Sequence, residues 1–596
     1  MSDKLTDYRR ADAPLPDRNR LWPLYGAGFD NLGRDGRPID VPMPAALRAA
    51  GTGPDELLVR HDACGLCFSD VKVIRAGDDH PRIYRNMQTD PVVLGHEVTL
   101  TVVGVGNHLR GEYRVGDRFV VQADIYVDGV GMAYGYEIQG GLSQYSFIDQ
   151  RVLDSDAGNC LVAIAPSTGY AESALTEPWT CVLTAYNLAY RTGLKPGGTA
   201  WVIGATQGPS RATPHYTISA GFDEASHPGR LLLTDVPADF ARWLRARAEA
   251  LGVEVIEVPN VAAPPPPFPS PGRGGAGGGV DDIVLLGADP DLIEGTSSHL
   301  ARFGTFAIIA DQPLPRPVNV DVGRVHYDRW LYVGGLGPDV ARAYNSPPVR
   351  SELKPGGRAW FVGAGGPMGR MHVQQAIEAA DVADRRRSGT VFCTARTDRR
   401  LRVVESTYRP DAEARGITFT CVSRADAAAY ERALEAVGAA GFDDIVVLAP
   451  AASALAEAAD YVAPGGVINV FAGLARGTLV PLDLSDVYLR GVRIIGHSGL
   501  TIEGMRRTVR LVESGQLSPN RLVAAVGSLG AARDGLRAVR EAAFPGKIVI
   551  YPHIKDLPLT PLPELKDRLP SVYARLKDGR EWTREAEEEL LRLMLP

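Results

Sequence analysis

Residues 194–211 read LKPGGTAWVIGATQGPSR and residues 353–370 read LKPGGRAWFVGAGGPMGR, with ten of 18 positions identical at an offset of 159. Further on, DDIVLL from Asp281 matches DDIVVL from Asp443 in five of six positions, at an offset of 162. VHYDRWLYVGGLG from Val325 keeps that offset against VYLRGVRIIGHSG from Val487. One match can arise by convergence on a strand–turn–helix pattern. Three in the same order at nearly one offset mark an internal duplication.

In the second copy RAWFVGAG reads as a strand entering a Gly-rich turn, and MHVQQAIEAADVAD reads as a helix. GTVFCTA, GITFTCV, DDIVVLA, GVINVFAG and VRIIGHS follow as short apolar runs, the signature of parallel strands covered on both faces. Helical stretches such as ADAAAYERALEAVGAAG lie between them, so the expected fold class is α/β with a doubly wound parallel sheet in each copy. The first copy is expected to be degenerate. Where the second has its Ala-rich helix, the first has PPPPFPSPGRGGAGGG (264–279), with six Pro and six Gly in 16 residues, which reads as a surface linker.

A dinucleotide site needs glycines where strand turns into helix, so that backbone N–H groups reach the pyrophosphate. The second copy offers Gly363, Gly365, Gly366 and Gly369 in that context. The alternative is a tight turn with close helix–sheet packing. The first copy has Gly204 and Gly208 with the bulkier Thr206 and Gln207 between them. At the end of the second strand, where an acid binds the ribose hydroxyls, the first copy keeps Asp235. The second has Ala395 followed by Arg396, Arg399 and Arg400, which favours NADP(H) over NAD(H) unless these arginines simply begin a solvated helix. The second copy is thus expected to bind the cofactor, with a shared site left open.

Upstream lie His61-Asp-Ala-Cys64-Gly-Leu-Cys67-Phe-Ser69-Asp70, then Gly95-His96-Glu97, then Thr176-Glu177-Pro178. Cys, His and Glu all ligate zinc, and a catalytic zinc uses about three of them plus water. Cys64-x-x-Cys67 alone is compatible with a metal half-site, a redox pair or plain core. Glu177 before Pro178 also suits the first turn of a helix.

Taken in order, CGLCFSD, GHE, GDRFVV (116–121), EP, a Rossmann-like unit and a closing GKIVIYP (546–552) resemble the zinc-dependent medium-chain dehydrogenase/reductase superfamily. The EP motif and the tail look most like its sorbitol and L-sorbose-1-phosphate dehydrogenase branch. The resemblance implies a GroES-like, β-rich catalytic domain in residues 1–190, returning in 513–596 with a helical tail. A first Rossmann unit would fill 191–350 and a second 351–512. It also implies Cys67 and His96 as zinc ligands, Glu97 and Glu177 supplying the remaining ligand, Ser69 as proton relay and Asp70 orienting His96. No Cys lies between Glu97 and Cys160, so one catalytic zinc and no structural zinc is expected. Family members commonly pair nucleotide-binding units edge to edge across a dimer. Two copies in one chain would make that pairing internally, giving a monomer with a pseudo-dimer, or a homodimer.

The implied reaction is hydride transfer between a nicotinamide cofactor and a polyol, sugar or sugar-phosphate alcohol or ketone. Arg82 and Arg85, between the zinc motifs, are candidates for a substrate phosphate. The rivals are a zinc-free carbonyl or quinone reductase of the same superfamily, and a catalytically inactive nucleotide-binding regulatory protein. Composition is consistent with the enzyme classes. The chain has 596 residues, 45% hydrophobic and 23% charged, with a net charge of −7 that argues against nucleic acid or an anionic membrane as partner. Six Cys, no long apolar run and a polar N-terminus point to a soluble cytoplasmic protein. The last helix, TREAEEELLRLML, is expected to start at an N-cap, Thr583, and to pack on the catalytic domain in preference to binding a partner.

Overall fold

The computed structural model describes residues 4–43, 53–187, 190–205, 215–262, 279–344, 350, 352–378, 389–497 and 499–596. The Pro/Gly stretch 264–279 lies outside these residues apart from Gly279. Among the described residues no helix is long and apolar enough to cross a membrane.

One eight-stranded sheet joins the two ends of the chain. Leu57–Gly65, fully buried along its length, pairs antiparallel with Glu97–Val105 on one side and Lys547–Tyr551 on the other. The register sets Gly65 opposite Glu97 and Cys64 opposite Ile550. The two ligand-bearing motifs and the closing GKIVIYP strand therefore meet at one end of the sheet.

Each repeat forms its own six-stranded parallel sheet, with strand order third, second, first, fourth, fifth, sixth in both. The residues that made the repeat visible are its anchors. Asp282 accepts from Arg191 Nη1 (2.6 Å) and Lys195 N (2.9 Å), and Asp444 accepts from Arg350 Nη1 (2.8 Å) and Lys354 N (2.9 Å). Asp281 and Asp443 bind the Thr199 and Arg358 amides, each at 2.9 Å, and the ammoniums of Lys195 and Lys354. Trp201 and Trp360, fully buried, donate to Thr234 (3.0 Å) and Thr394 (2.9 Å). A buried carboxylate is tolerated only when paired and hydrogen-bonded, so the LKPGG turn and the DD strand must be kept together or lost together.

The copies differ at their first crossover. In the second, the strand Arg358–Val362 runs into the helix Pro367–Glu378. In the first, no helix occurs between Gly204 and Arg230 among the described residues, which exclude 206–214 and with them Thr206, Gln207 and Gly208.

The two units pack on each other within the chain. Val318–Asp321 pairs antiparallel with Leu479–Leu482, setting Val318 against Leu482, Asn319 against Pro481 and Val320 against Val480. At the repeat offset of 162, Val480 is the counterpart of Val318 and Leu482 that of Val320. The register is therefore self-complementary about Asn319 and Pro481, as in an isologous two-fold interface. One apolar core runs through both units, and Tyr488 Oη donates to Gln312 O (2.6 Å) across the joint. The expected edge-to-edge sheet joint is corrected. The edge strands Leu331–Gly335 and Arg493–Ile495 lie against one another, but no ladder joins them among the described residues. The helix Ser485–Leu489 packs on the first of these edges, where a Cβ at Gly334 would come within 2.7 Å of Tyr488.

The C-terminal helix Arg584–Met594 packs on the eight-stranded sheet, and Thr583 Oγ1 accepts from Ala586 N (3.0 Å). Buried Glu587 caps the helix Tyr170–Ala174, accepting from the amides of Tyr170 (2.6 Å) and Ala171 (2.7 Å).

Candidate active site

Cys67 immediately precedes the helix Phe68–Ala76, and its amide donates to Asp70 Oδ2 (2.9 Å). The other carboxylate oxygen of Asp70 lies 3.1 Å from His96 Nδ1 and 3.3 Å from the Gly95 amide. One buried carboxylate thus ties the CGLCFSD turn to the GHE turn. With Nδ1 engaged, His96 presents Nε2 for ligation. Burial alone would lower the His96 pKa, but the charge and hydrogen bond of Asp70 raise it well above the ordinary histidine value.

Cys67, His96 and Glu97 each offer a ligand atom, and these lie within 4.8 Å of one another. Glu97 Oε2 is buried with no hydrogen-bond partner, while Oε1 accepts from Lys547 Nζ. Thiolate, imidazole and carboxylate around an orphaned buried oxygen form a donor set that suits zinc. Any side chain at Gly65 would strike Glu97, so the glycine is what lets this carboxylate into the sheet end. Glu177, on the helix Thr176–Leu183, is buried beside the cluster but outside the group of three. Burial raises its pKa to about 7 against the pull of His96. Ser69 Oγ lies 3.7 Å from Cys67 Sγ. Cys64 is fully buried, and burial raises its pKa well above the ordinary thiol value.

The sequence reading missed Lys547 and Tyr136. Lys547 sits in the quoted GKIVIYP strand, but nothing in that strand says which acid a lysine will meet. Tyr136 packs edge-on to His96 (ring centroids 5.9 Å) and to His80 (5.0 Å), through a loop with no motif.

In the second unit Gly363 has φ +97°, and a Cβ at Gly369 would come within 2.6 Å of the Ala364 backbone. Gly366 faces open space, with nothing within 4 Å of an added Cβ. Met371, on the helix that follows, packs with Trp179, Val182 and Leu183 of the helix that carries Glu177. Arg396 is exposed just past the end of the second strand. Arg400 is not available there: its stem covers Gly365 and its guanidinium donates to Ala542 O (2.8 Å). Asp235 lies exposed in the first unit at φ +51°, on a different sheet from the Gly363 turn.

Residues 53–155 match the alcohol dehydrogenase GroES-like domain. The mannitol-1-phosphate 5-dehydrogenase of Aliivibrio fischeri is 30% identical over 305 residues, covering 48% of this chain and 69% of the relative. The chain belongs to the alcohol dehydrogenase-like, medium-chain dehydrogenase/reductase superfamily. This dehydrogenase is also 26% identical over 297 residues to the L-sorbose 1-phosphate reductase of Klebsiella pneumoniae, covering 48% of this chain and 70% of that one. A solved thermostable alcohol dehydrogenase from Pyrobaculum aerophilum aligns at 15% identity and a TM-score of 0.43, covering 90% of this chain and all of that one. The dehydrogenase is an oxidoreductase of the alcohol and polyol dehydrogenase type, with the GroES-like and Rossmann-like architecture expected.

Proposed function

We propose that this dehydrogenase transfers hydride between NADP(H) and the secondary alcohol or ketone of a polyol, sugar or sugar phosphate, using one zinc ion per chain. The observation that carries the reading is the Cys67–His96–Glu97 cluster, organised by Asp70, with the neighbouring helix that bears Glu177 packed on the second Rossmann unit. When bound, zinc acts as a Lewis acid that lowers the alcohol's pKa, and the nicotinamide exchanges the hydride.

The chain's own residues do the rest. Cys67 and His96 hold the metal, and Asp70 fixes the imidazole tautomer by engaging Nδ1. Glu97, with Oε2 free of hydrogen bonds and grouped with Cys67 and His96, supplies the third ligand ahead of Glu177, which lies outside that group. Ser69, beside Cys67, takes the substrate hydroxyl proton toward solvent. Gly363, Gly365, Gly366 and Gly369 make the pyrophosphate turn, and exposed Arg396 meets the 2′-phosphate. Residues 1–190 and 513–596 form the catalytic domain, and 351–512 the cofactor unit. The unit 191–350 takes the place of a second subunit, which the self-complementary strand pair supports.

The test is a panel of hexitols and hexitol phosphates with NADP⁺ and NAD⁺, read by absorbance of the reduced cofactor. Substrate-dependent reduction that chelation abolishes and zinc restores is the expected result. Undiminished activity after chelation, or no turnover with any polyol, overturns the reading.

A further inference from the structure

The first unit carries two residues in a backbone conformation that side chains rarely adopt. Phe303 has φ +64° and Arg329 φ +53°. At the repeat offset of 162, their counterparts in the second unit are Gly465 and Gly491, both at φ +68°. The local bonds match: Phe303 N donates to Asp328 O (2.7 Å) as Gly465 N donates to Arg490 O (2.8 Å). The second unit keeps the residue that makes this bend free of strain, and the first has given it up twice. Strain of this kind persists where a side chain is needed at that point.

What the two positions gain is an aromatic ring and a guanidinium. Arg302 and Arg329 both stack over half-exposed Phe303, their guanidinium carbons 4.9 and 5.3 Å from its ring centroid. The counterpart of Arg302 is Pro464. Arg302 Nη2 donates to Tyr126 Oη (3.2 Å), which also accepts from Arg82 Nη2 (2.6 Å). Arg302 makes no ion pair among the described residues, and Arg82 pairs with Asp124. Burial and the charge of Arg302 depress the Arg329 pKa, against the pull of Asp124. Among the described residues, three guanidiniums thus gather around the Tyr126 phenol and the Asp124 carboxylate. Arg85, the other sequence candidate, is committed to Glu137 (3.1 Å) and Asp90 (3.2 Å).

The cluster adjoins the active site. Arg82 N lies 3.3 Å from His80 Nδ1, and His80 packs on Tyr136, which packs on His96. On the second unit's side, Gly499 brings the loop after Arg493–Ile495 against Asp124 and near Arg329.

We infer that Arg82, Arg302 and Arg329 form a subsite for the phosphoryl group of a phosphorylated polyol or sugar, two of its three arginines coming from the first Rossmann unit. Guanidinium pairs suit the planar, bidentate recognition of phosphate. The first unit is then part of the substrate site as well as a packing partner. The inference rests on the polyol dehydrogenase reading for the identity of the ligand, though not for the binding of phosphate itself.

Two measurements separate the claims. Calorimetric titration of the full chain with inorganic phosphate needs no turnover. The ratio of kcat/KM for a hexitol phosphate to that for the free hexitol needs turnover. Arg302→Gln and the glycine-restoring Arg329→Gly should each weaken phosphate binding at least about tenfold and lower the ratio by a similar factor. Arg245→Gln, at an exposed arginine paired with Glu257 elsewhere in the first unit, should change neither. Inorganic phosphate should compete with the hexitol phosphate and not with the cofactor. Phosphate binding lost in the variants of a protein that turns over no polyol supports the subsite while the functional reading fails. Turnover with a ratio that stays within about twofold of the parent overturns the subsite alone.

Discussion

Replacing Lys547 with Met removes the ammonium that pairs with Glu97 Oε1. Both side chains are withdrawn from solvent, at 4% and 0% exposure. The lysine also reaches Leu66 O at 3.3 Å, and Glu97 Oε2 has no other partner to fall back on. Deleting one member of a buried pair leaves an uncompensated charge and costs about 3–5 kcal/mol. In a domain of roughly 150–250 residues, that is about 6–20 °C in Tm. A chain with several units will not unfold in one step, so the assay is hydrogen exchange at the amides of Leu57–Gly65 and Glu97–Val105, alongside calorimetry on chelated protein at pH 8. Adding Glu97→Gln removes the stranded charge, so the double variant should recover most of the loss, with a coupling energy of about 2 kcal/mol or more. The reasoning fails if Lys547→Met lies within about 0.5 kcal/mol of the parent. It fails equally if the double variant is no more stable than the single.

The cofactor turn separates fold from function. Gly366→Ala meets nothing within 4 Å, so melting should move by less than about 3 °C while the Kd for NADPH rises at least about tenfold in a fluorescence titration. Gly369→Ala, with its Cβ 2.6 Å from backbone, should cost about 1–3 kcal/mol in the same melts. Arg396→Ala should weaken NADP(H) binding about tenfold and leave NAD(H) affinity unaltered; equal losses for both would remove Arg396 from the 2′-phosphate. Burial lowers the pKa of seven histidines from 6.5, among them His61, His80 and His326, to about 4, and His372, His497 and His553, to about 3. The folded state then binds fewer protons than the unfolded chain, so stability is complete above pH 6.5 and falls as pH drops toward 4, by up to about 1.4 kcal/mol per unit for each group. Melts from pH 8 to pH 5 should be flat at first and then fall steeply; a flat curve to pH 5 would contradict these burials.

The sequence carried much of the architecture because the repeat's identities are also its anchors. The Lys of LKPGG and both Asp residues of DD are held in one set of carboxylate–donor bonds in each copy. The Asp70–His96 contact was legible for a similar reason, since the family order of motifs brings those residue types together. What stayed hidden depends on long-range geometry. Lys547 meets Glu97 across 450 positions of chain, and Tyr126 draws Arg302 across 176. The pairing of Val318–Asp321 with Leu479–Leu482 was hidden too, because a short strand has no pattern that names its partner. The sheet edges were expected to join; they lie against one another without a ladder among the described residues. Arg400 looked like Arg396 in sequence. Only the fold shows one spent on Ala542 and the other exposed.

The most direct test of the account is elemental zinc analysis of the parent chain and of Cys67→Ala, with cofactor reduction followed on the same samples. The account predicts one zinc per chain in the parent, and loss of both zinc and turnover in Cys67→Ala. A Cys67→Ala protein that turns over fully without metal would contradict it.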